Sequence, residues 1–102
     1  MTVLRQSGLI FEWNEAKSEK NLAERGFDFE YACRIFGGDT IEWDDTRRDY
    51  GERRVIAIGE VDEEVYVVVY TPLEHIRRII SAQPASGWER DAYHKAFANQ
   101  DP

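Results

Sequence analysis

Two β-branched runs constrain this chain most. Arg54 to Val61 and Val65 to Thr71 are each strand-sized, and only Asp62-Glu63-Glu64 separates them. A connection that short joins two strands as an antiparallel hairpin. Before it, Thr40 to Asp44 alternates, with Ile41 and Trp43 on one face and Glu42 and Asp44 on the other. After it, Thr71-Pro72-Leu73-Glu74 makes a turn and His75 to Ala82 a further strand. Strict alternation on that strand puts Ile76, Arg78 and Ile80 on one face and Arg77, Ile79 and Ser81 on the other. Pro84 blocks further pairing. Short connections predict an antiparallel β-meander of about four strands.

The flanks read as helices. Leu9 to Trp13 alternates weakly, as a short strand would, and residues 1–8 read as a flexible lead-in. Asn14 is a good N-cap for a helix from Glu15 to Arg25, and Gly26 is its stop. Asp28 caps a second helix, in which Phe29, Ala32, Cys33 and Phe36 form one buried stripe, and Gly37-Gly38 ends it. Ser86 and Glu89 stand at capping-box spacing before a last helix reaching about Ala98, with Trp88, Ala92, Tyr93 and Phe97 as packing positions. The expected fold is α+β: two N-terminal helices, the meander, and a C-terminal helix. No repeat or linker divides the chain, so residues 9–98 read as a single domain.

Composition narrows the functional classes. At 102 residues and 42% hydrophobic, one compact core is within reach. The net charge of −7 argues against binding duplex nucleic acid by bulk charge. Nearly all the excess lies in residues 37–64, with ten acidic and four basic side chains, which make either a solvated acidic surface or a landing site for a basic partner. The longest apolar run, Val65 to Tyr70, falls far short of the ~18 residues of a membrane span, so no membrane association is expected. The first eight residues hold no apolar leader core, so no secretory signal is expected. One cysteine, Cys33, and two distant histidines, His75 and His94, make neither a disulfide nor a metal cage. A reducing cytoplasm, no metal and no cofactor are the expectation.

Phosphate-cradling glycine loops, His-Glu-x-x-His, Gly-x-Ser-x-Gly and Cys-x-x-Cys motifs do not occur. Arg54 and Arg78 are the chemically pointed residues, because an arginine among apolar strand residues needs a partner or a ligand. Either a salt bridge, for instance with Glu60 or Asp49, or a phosphate meets that need. Tyr70, Thr71, Ser81 and Tyr93 can add hydrogen bonds. Trp43 either stacks a base or joins the core.

Together these residues resemble a known family. Phe11-Glu12-Trp13-Asn14-Glu15-x-Lys17-x-x-x-Asn21, then Arg25-Gly26-x-Asp28-Phe29-x-x-Ala32, resembles the opening of the BrnT toxins. Arg48-x-Tyr50-Gly51-Glu52-x-Arg54 and Ala57-Ile58-Gly59 are similar to their central motif. Val69-Tyr70-Thr71, Arg78-Ile79-Ile80-Ser81-Ala82, Glu89-Arg90 and Tyr93 are similar to their end. The resemblance implies a RelE-like fold and the toxin half of a type II toxin–antitoxin pair. It implies an endoribonuclease that cuts RNA without a metal and so inhibits translation. The implied partner is BrnA, a ribbon-helix-helix antitoxin through which DNA is contacted only indirectly.

On that resemblance Arg54 and Arg78 hold the scissile phosphate, and Arg25 and Ser81 line the site. The sequence offers no obvious general base, and Asp49, Glu52 and Tyr70 are the candidate proton acceptors. Arg48, Lys17, Trp43, Thr71 and Gln83 are the expected RNA contacts. Three departures from the family pattern stand out: Arg25 replaces a histidine, Leu73 an arginine, and Gln83-Pro84 an Arg-Lys pair. Arginine cannot exchange protons near neutral pH as histidine does. The departures therefore carry an alternative: a catalytically weakened toxin-like binding module, or co-repressor partner of a DNA-binding antitoxin.

Overall fold

The computed structural model describes residues 1–98. Its strands are β1 (Thr2–Gln6), β2 (Leu9–Trp13), β3 (Ile41–Asp44), β4 (Val55–Val61), β5 (Glu64–Pro72) and β6 (Arg77–Pro84). Its helices are α1 (Glu15–Arg25), α2 (Phe29–Ala32) and α3 (Gly87–Phe97), with a 3-10 turn over Cys33–Gly37. The α+β class is as expected. Asn14 accepts a hydrogen bond from the Lys17 amide, Gly26 ends α1 at φ 86°, and Glu89 reaches back to the Ser86 amide at 2.7 Å.

The four-strand antiparallel sheet is corrected to a six-strand mixed one. Strands β3 to β6 do form an antiparallel meander. Strand β2 then pairs in parallel with β6, through Phe11 opposite Arg77 and Glu12 opposite Arg78, giving the order β1-β2-β6-β5-β4-β3. Residues 1–8, expected as a lead-in, supply β1 and its turn onto β2. That turn is Ser7-Gly8 at φ 52° and 80°, both left-handed, as a two-residue hairpin turn requires. Asp62 and Glu63, at φ 50° and 70°, close β4 onto β5 the same way.

The second helix is also corrected. It is regular only over α2 and then tightens into the 3-10 turn, which buries Ile35 and leaves Phe36 half-buried. Packing explains this: Ile35 sits against Gly59 of β4, where an added Cβ would lie 2.6 Å from the Ile35 Cβ.

Each face of the sheet has its own core. Phe11, Trp13, Ala57, Val68 and Ile79 pack against Phe29, Ala32 and Ile35 on the helical side. Polar residues of α1 serve that side as well. Ser18 accepts from the Phe29 amide and Asn21 donates to the Phe27 carbonyl, both at 2.9 Å, satisfying the buried α1–α2 link. On the opposite face Ile56, Ile58, Val65, Val67 and Val69 form a second cluster. There α3 contributes Tyr93. Part of this second face stays open, and the candidate site lies on it.

Candidate functional site

Cross-strand register builds a polar row on the open face. Thr71 of β5 lies opposite Arg78 of β6, and Arg78 lies beside Glu12 of β2. Arg78 Nε donates to Glu12 Oε2 at 2.7 Å. Glu52, in the loop before β4, accepts from Thr71 Oγ1 at 2.9 Å and from Arg54 Nε at 3.2 Å. The Arg54 guanidinium lies 4.1 Å over the Tyr50 ring, and Arg48 lies 6.0 Å from the same ring. The Thr71 hydroxyl, then the Arg54 bond, holds the Glu52 carboxyl below its usual value, with Arg78 adding to the effect. Glu52 is thereby anchored between Thr71 and Arg54.

This cluster brings Arg54, Arg78, Glu52, Thr71 and Arg48 together. Salt bridges do form, but with Glu52 and Glu12 rather than Glu60 or Asp49. Nε carries each pair. The terminal NH groups of each guanidinium provide the fork that matches a phosphate. Both side chains are reachable, at 25% exposure for Arg54 and 41% for Arg78. Glu12 and Tyr50 are additional members. The signal for Glu12 was an acid between the apolar Phe11 and Trp13 on a strand. Tyr50 had no comparable signal outside its motif.

A β-bulge corrects the expected faces of β6. Tyr70 pairs with Ile79 and Val69 with Ser81, which leaves Ile80 as an extra residue. The extra residue re-aims the strand. Ile79 faces the helical core, whereas Arg78, Ser81 and Gln83 share the open face with Thr71, Val69 and Val67. Ser81, Gln83 and Trp43 line a cleft of about 270 Å³ whose floor is Ile56, Val67 and Val69. Trp88 lines it too, and Trp43 is part-exposed there rather than core.

The remaining expected residues lie elsewhere. Tyr70 is on the helical face, across the sheet from the arginines. Its hydroxyl donates to Glu42 Oε1 at 2.6 Å, and burial, then that bond, pushes its pKa up to about 12. Arg77 covers its ring at 4.8 Å. Arg25 sits beside β6, where its Nη1 donates to Asn21 Oδ1 at 2.9 Å and to the Ala82 carbonyl at 3.4 Å. Lys17 and Arg25 share a hollow with Ile80 and Ser81, so they approach β6 from the α1 side. The Asp49 carboxylate accepts from the Gly51 amide in an exposed loop. Leu73 lies in the β5–β6 turn.

Asp45 anchors the loop that carries Tyr50. Its buried carboxylate accepts from Arg47 Nε and Nη2, both at 2.8 Å, and from the Tyr50 hydroxyl at 3.0 Å. The Arg47 bond holds this carboxyl well below the usual range. A depressed pKa contributes stability above the ordinary value of 3.8 and loses it as pH falls through the folded value. Asp45→Asn should therefore destabilise the fold at neutral pH by roughly 1.5 kcal/mol, the value of a modest charge-assisted bond. Denaturant melts of both proteins should show the gap narrowing between about pH 4 and pH 2. A gap that stays constant would mean the charge is not the cause.

Among the described residues no three His, Cys, Asp or Glu side chains converge to hold a metal ion. No described helix is long and apolar enough to cross a membrane. The fold and the arginine–carboxylate row define a small α+β domain with two arginine–carboxylate pairs on one sheet face. The model of the family "Ribonuclease toxin, BrnT, of type II toxin-antitoxin system" matches residues 13–89, so the chain belongs to that family. It is thereby a ribonuclease toxin by family, with RNA and an antitoxin as its counterparts. No curated protein matches it. The match spans Arg54, Arg78, Glu52, Thr71 and Ser81 and stops one residue short of Glu12.

Proposed function

We propose that this chain is a metal-independent endoribonuclease of RelE-like type. It cuts RNA in the cytoplasm, inhibits translation, and is neutralised by a BrnA-like ribbon-helix-helix antitoxin through which it meets DNA. The observation that carries this reading is the pair of reachable guanidiniums, Arg54 and Arg78, held on one sheet face by Glu52, Glu12 and Thr71. In the reaction the 2′-oxygen forms a bond to phosphorus and the bond to the 5′-oxygen breaks. The 2′-hydroxyl proton leaves to an acceptor and a proton returns to the 5′-oxygen. The arginines neutralise the charge that grows on the non-bridging oxygens. Glu52 is the carboxylate nearest that work, while Ser81 and Gln83 extend the same face toward the cleft. Purified protein with EDTA present should yield 2′,3′-cyclic phosphate and 5′-hydroxyl ends. Cleavage that needs added Mg²⁺ or Mn²⁺ would overturn the metal-independent reading.

One observation favours the second reading, a weakened toxin that mainly binds its partner. Glu52 is held below the usual carboxylate pKa, and His75 and His94 lie in the β5–β6 turn and on α3. A well-matched proton-transfer group contributes typically ~10²–10⁴-fold. Restoring one with Arg25→His, together with Leu73→Arg and Gln83→Arg, should raise the cleavage rate. An unchanged rate would leave the binding-module reading ahead.

A further inference from the structure

We propose that the cleft on the open sheet face is a nucleobase subsite, in which Trp43 and Trp88 stack one unpaired base of the RNA strand held by Arg54 and Arg78. This rests on the ribonuclease reading and deepens it. The chain has three tryptophans, and Trp13 is buried in the core. Trp43 and Trp88 are instead 38% and 65% exposed, and both line the one cleft. Large rings left in water beside an apolar floor mark a surface that a ligand covers. Any base offers a π-face to such a platform. The cleft, at about 270 Å³, is just below the ~300–1,000 Å³ of pockets that enclose drug-sized ligands, a size for one ring system rather than a helix.

Charge decides which part of a nucleotide enters. The ionisable lining is Asp44, Asp45, Glu89 and Arg47, and with Asp44 paired to Arg53 and Asp45 to Arg47 no unpaired cation is left there to attract a phosphate. The same lining favours a base edge rich in N–H donors. Asp45 is committed to Arg47 and Tyr50, and Glu89 to the Ser86 amide, so their lone pairs are partly used. Ser81 and Gln83 add both donors and acceptors for reading an edge. The spacing fits as well. The Val69–Ser81 pair is the next same-face row after Thr71–Arg78. Two residues along a strand is about 6.8 Å, a distance that a single nucleotide spans between its phosphate and its base.

The test uses the whole protein and two uncleavable probes: a fully 2′-O-methylated single-stranded RNA, and the same backbone without bases. Binding is followed by tryptophan fluorescence and by probe anisotropy. Trp43→Ala and Trp88→Ala should each weaken the base-bearing probe about tenfold or more and leave the abasic probe unchanged. Trp43→Phe and Trp88→Phe should restore most of the loss. Equal weakening of both probes, or no weakening of either, overturns the subsite. Loss of antitoxin binding with RNA binding intact assigns the cleft to the partner and also overturns it. Base-dependent, tryptophan-dependent binding without any cleavage by the wild type would remove the ribonuclease reading and keep the subsite. Cleavage with tryptophan-insensitive binding would do the reverse.

Discussion

RNA cleavage by a variant lacking both guanidiniums, Arg54→Ala with Arg78→Ala, should fall about a hundredfold or more. Each contact to a charged phosphate is worth at least ~1.5 kcal/mol, about tenfold in rate for each arginine. The carboxylate partners complicate the stability readout. Glu12 is only 12% exposed, so removing Arg78 alone strands a half-buried anion. Adding Glu12→Gln removes that anion and separates the two effects. The triple variant should then melt close to wild type while its rate per folded molecule stays low. Rates within a few-fold of wild type would mean that the arginines serve only as salt-bridge partners. Arg54→Lys is informative too, because an ammonium cannot present the planar fork.

Phe11→Ala should destabilise the domain by about 3–5 kcal/mol, as large-to-small changes of buried aromatics do. Phe11 is fully buried and stacks on Phe36 with ring centroids 5.3 Å apart. Its strand joins the β1–β2 hairpin to the rest of the sheet through only two paired positions, Phe11 with Arg77 and Glu12 with Arg78. The cavity would thus open where the main-chain pairing is shortest. A domain of this kind has roughly 5–15 kcal/mol in all, so the urea midpoint should drop steeply. Arg78 would lose its register to Glu12 as well, and RNA binding should weaken with the fold. A midpoint near wild type would show that β2 is not integral to the domain.

Much of this protein was legible before any coordinate. Asn14, Gly26 and Ser86 with Glu89 marked helix ends through local hydrogen bonds and backbone preferences, which act within a few residues. The β-branched runs marked β4 and β5 because alternation is a property of the strand itself. Arg54 and Arg78 stood out because charge among apolar neighbours demands a partner. The Ser7-Gly8 pair also carried a turn signal for the β1–β2 hairpin, but the polar neighbours Arg5 and Gln6 disguised the strand.

The rest depended on contacts between distant segments. The parallel union of β2 with β6 spans more than sixty residues and leaves no local pattern. The bulge at Ile80 inverts the faces of Ser81 and Gln83, and it arises only from pairing against β5. Tyr70, one residue before Thr71, lies across the sheet from the arginines because neighbours on a strand point to opposite faces. Local sequence marked the meander strands, the ends of α1 and α3, and the two arginines. Tertiary structure alone decided which carboxylate holds each arginine, which hydroxyls share their face, and that Trp43 and Trp88 meet at one cleft. Local propensity sets a residue's backbone; long-range register sets its neighbours, and the chemistry of the site belongs to the neighbours.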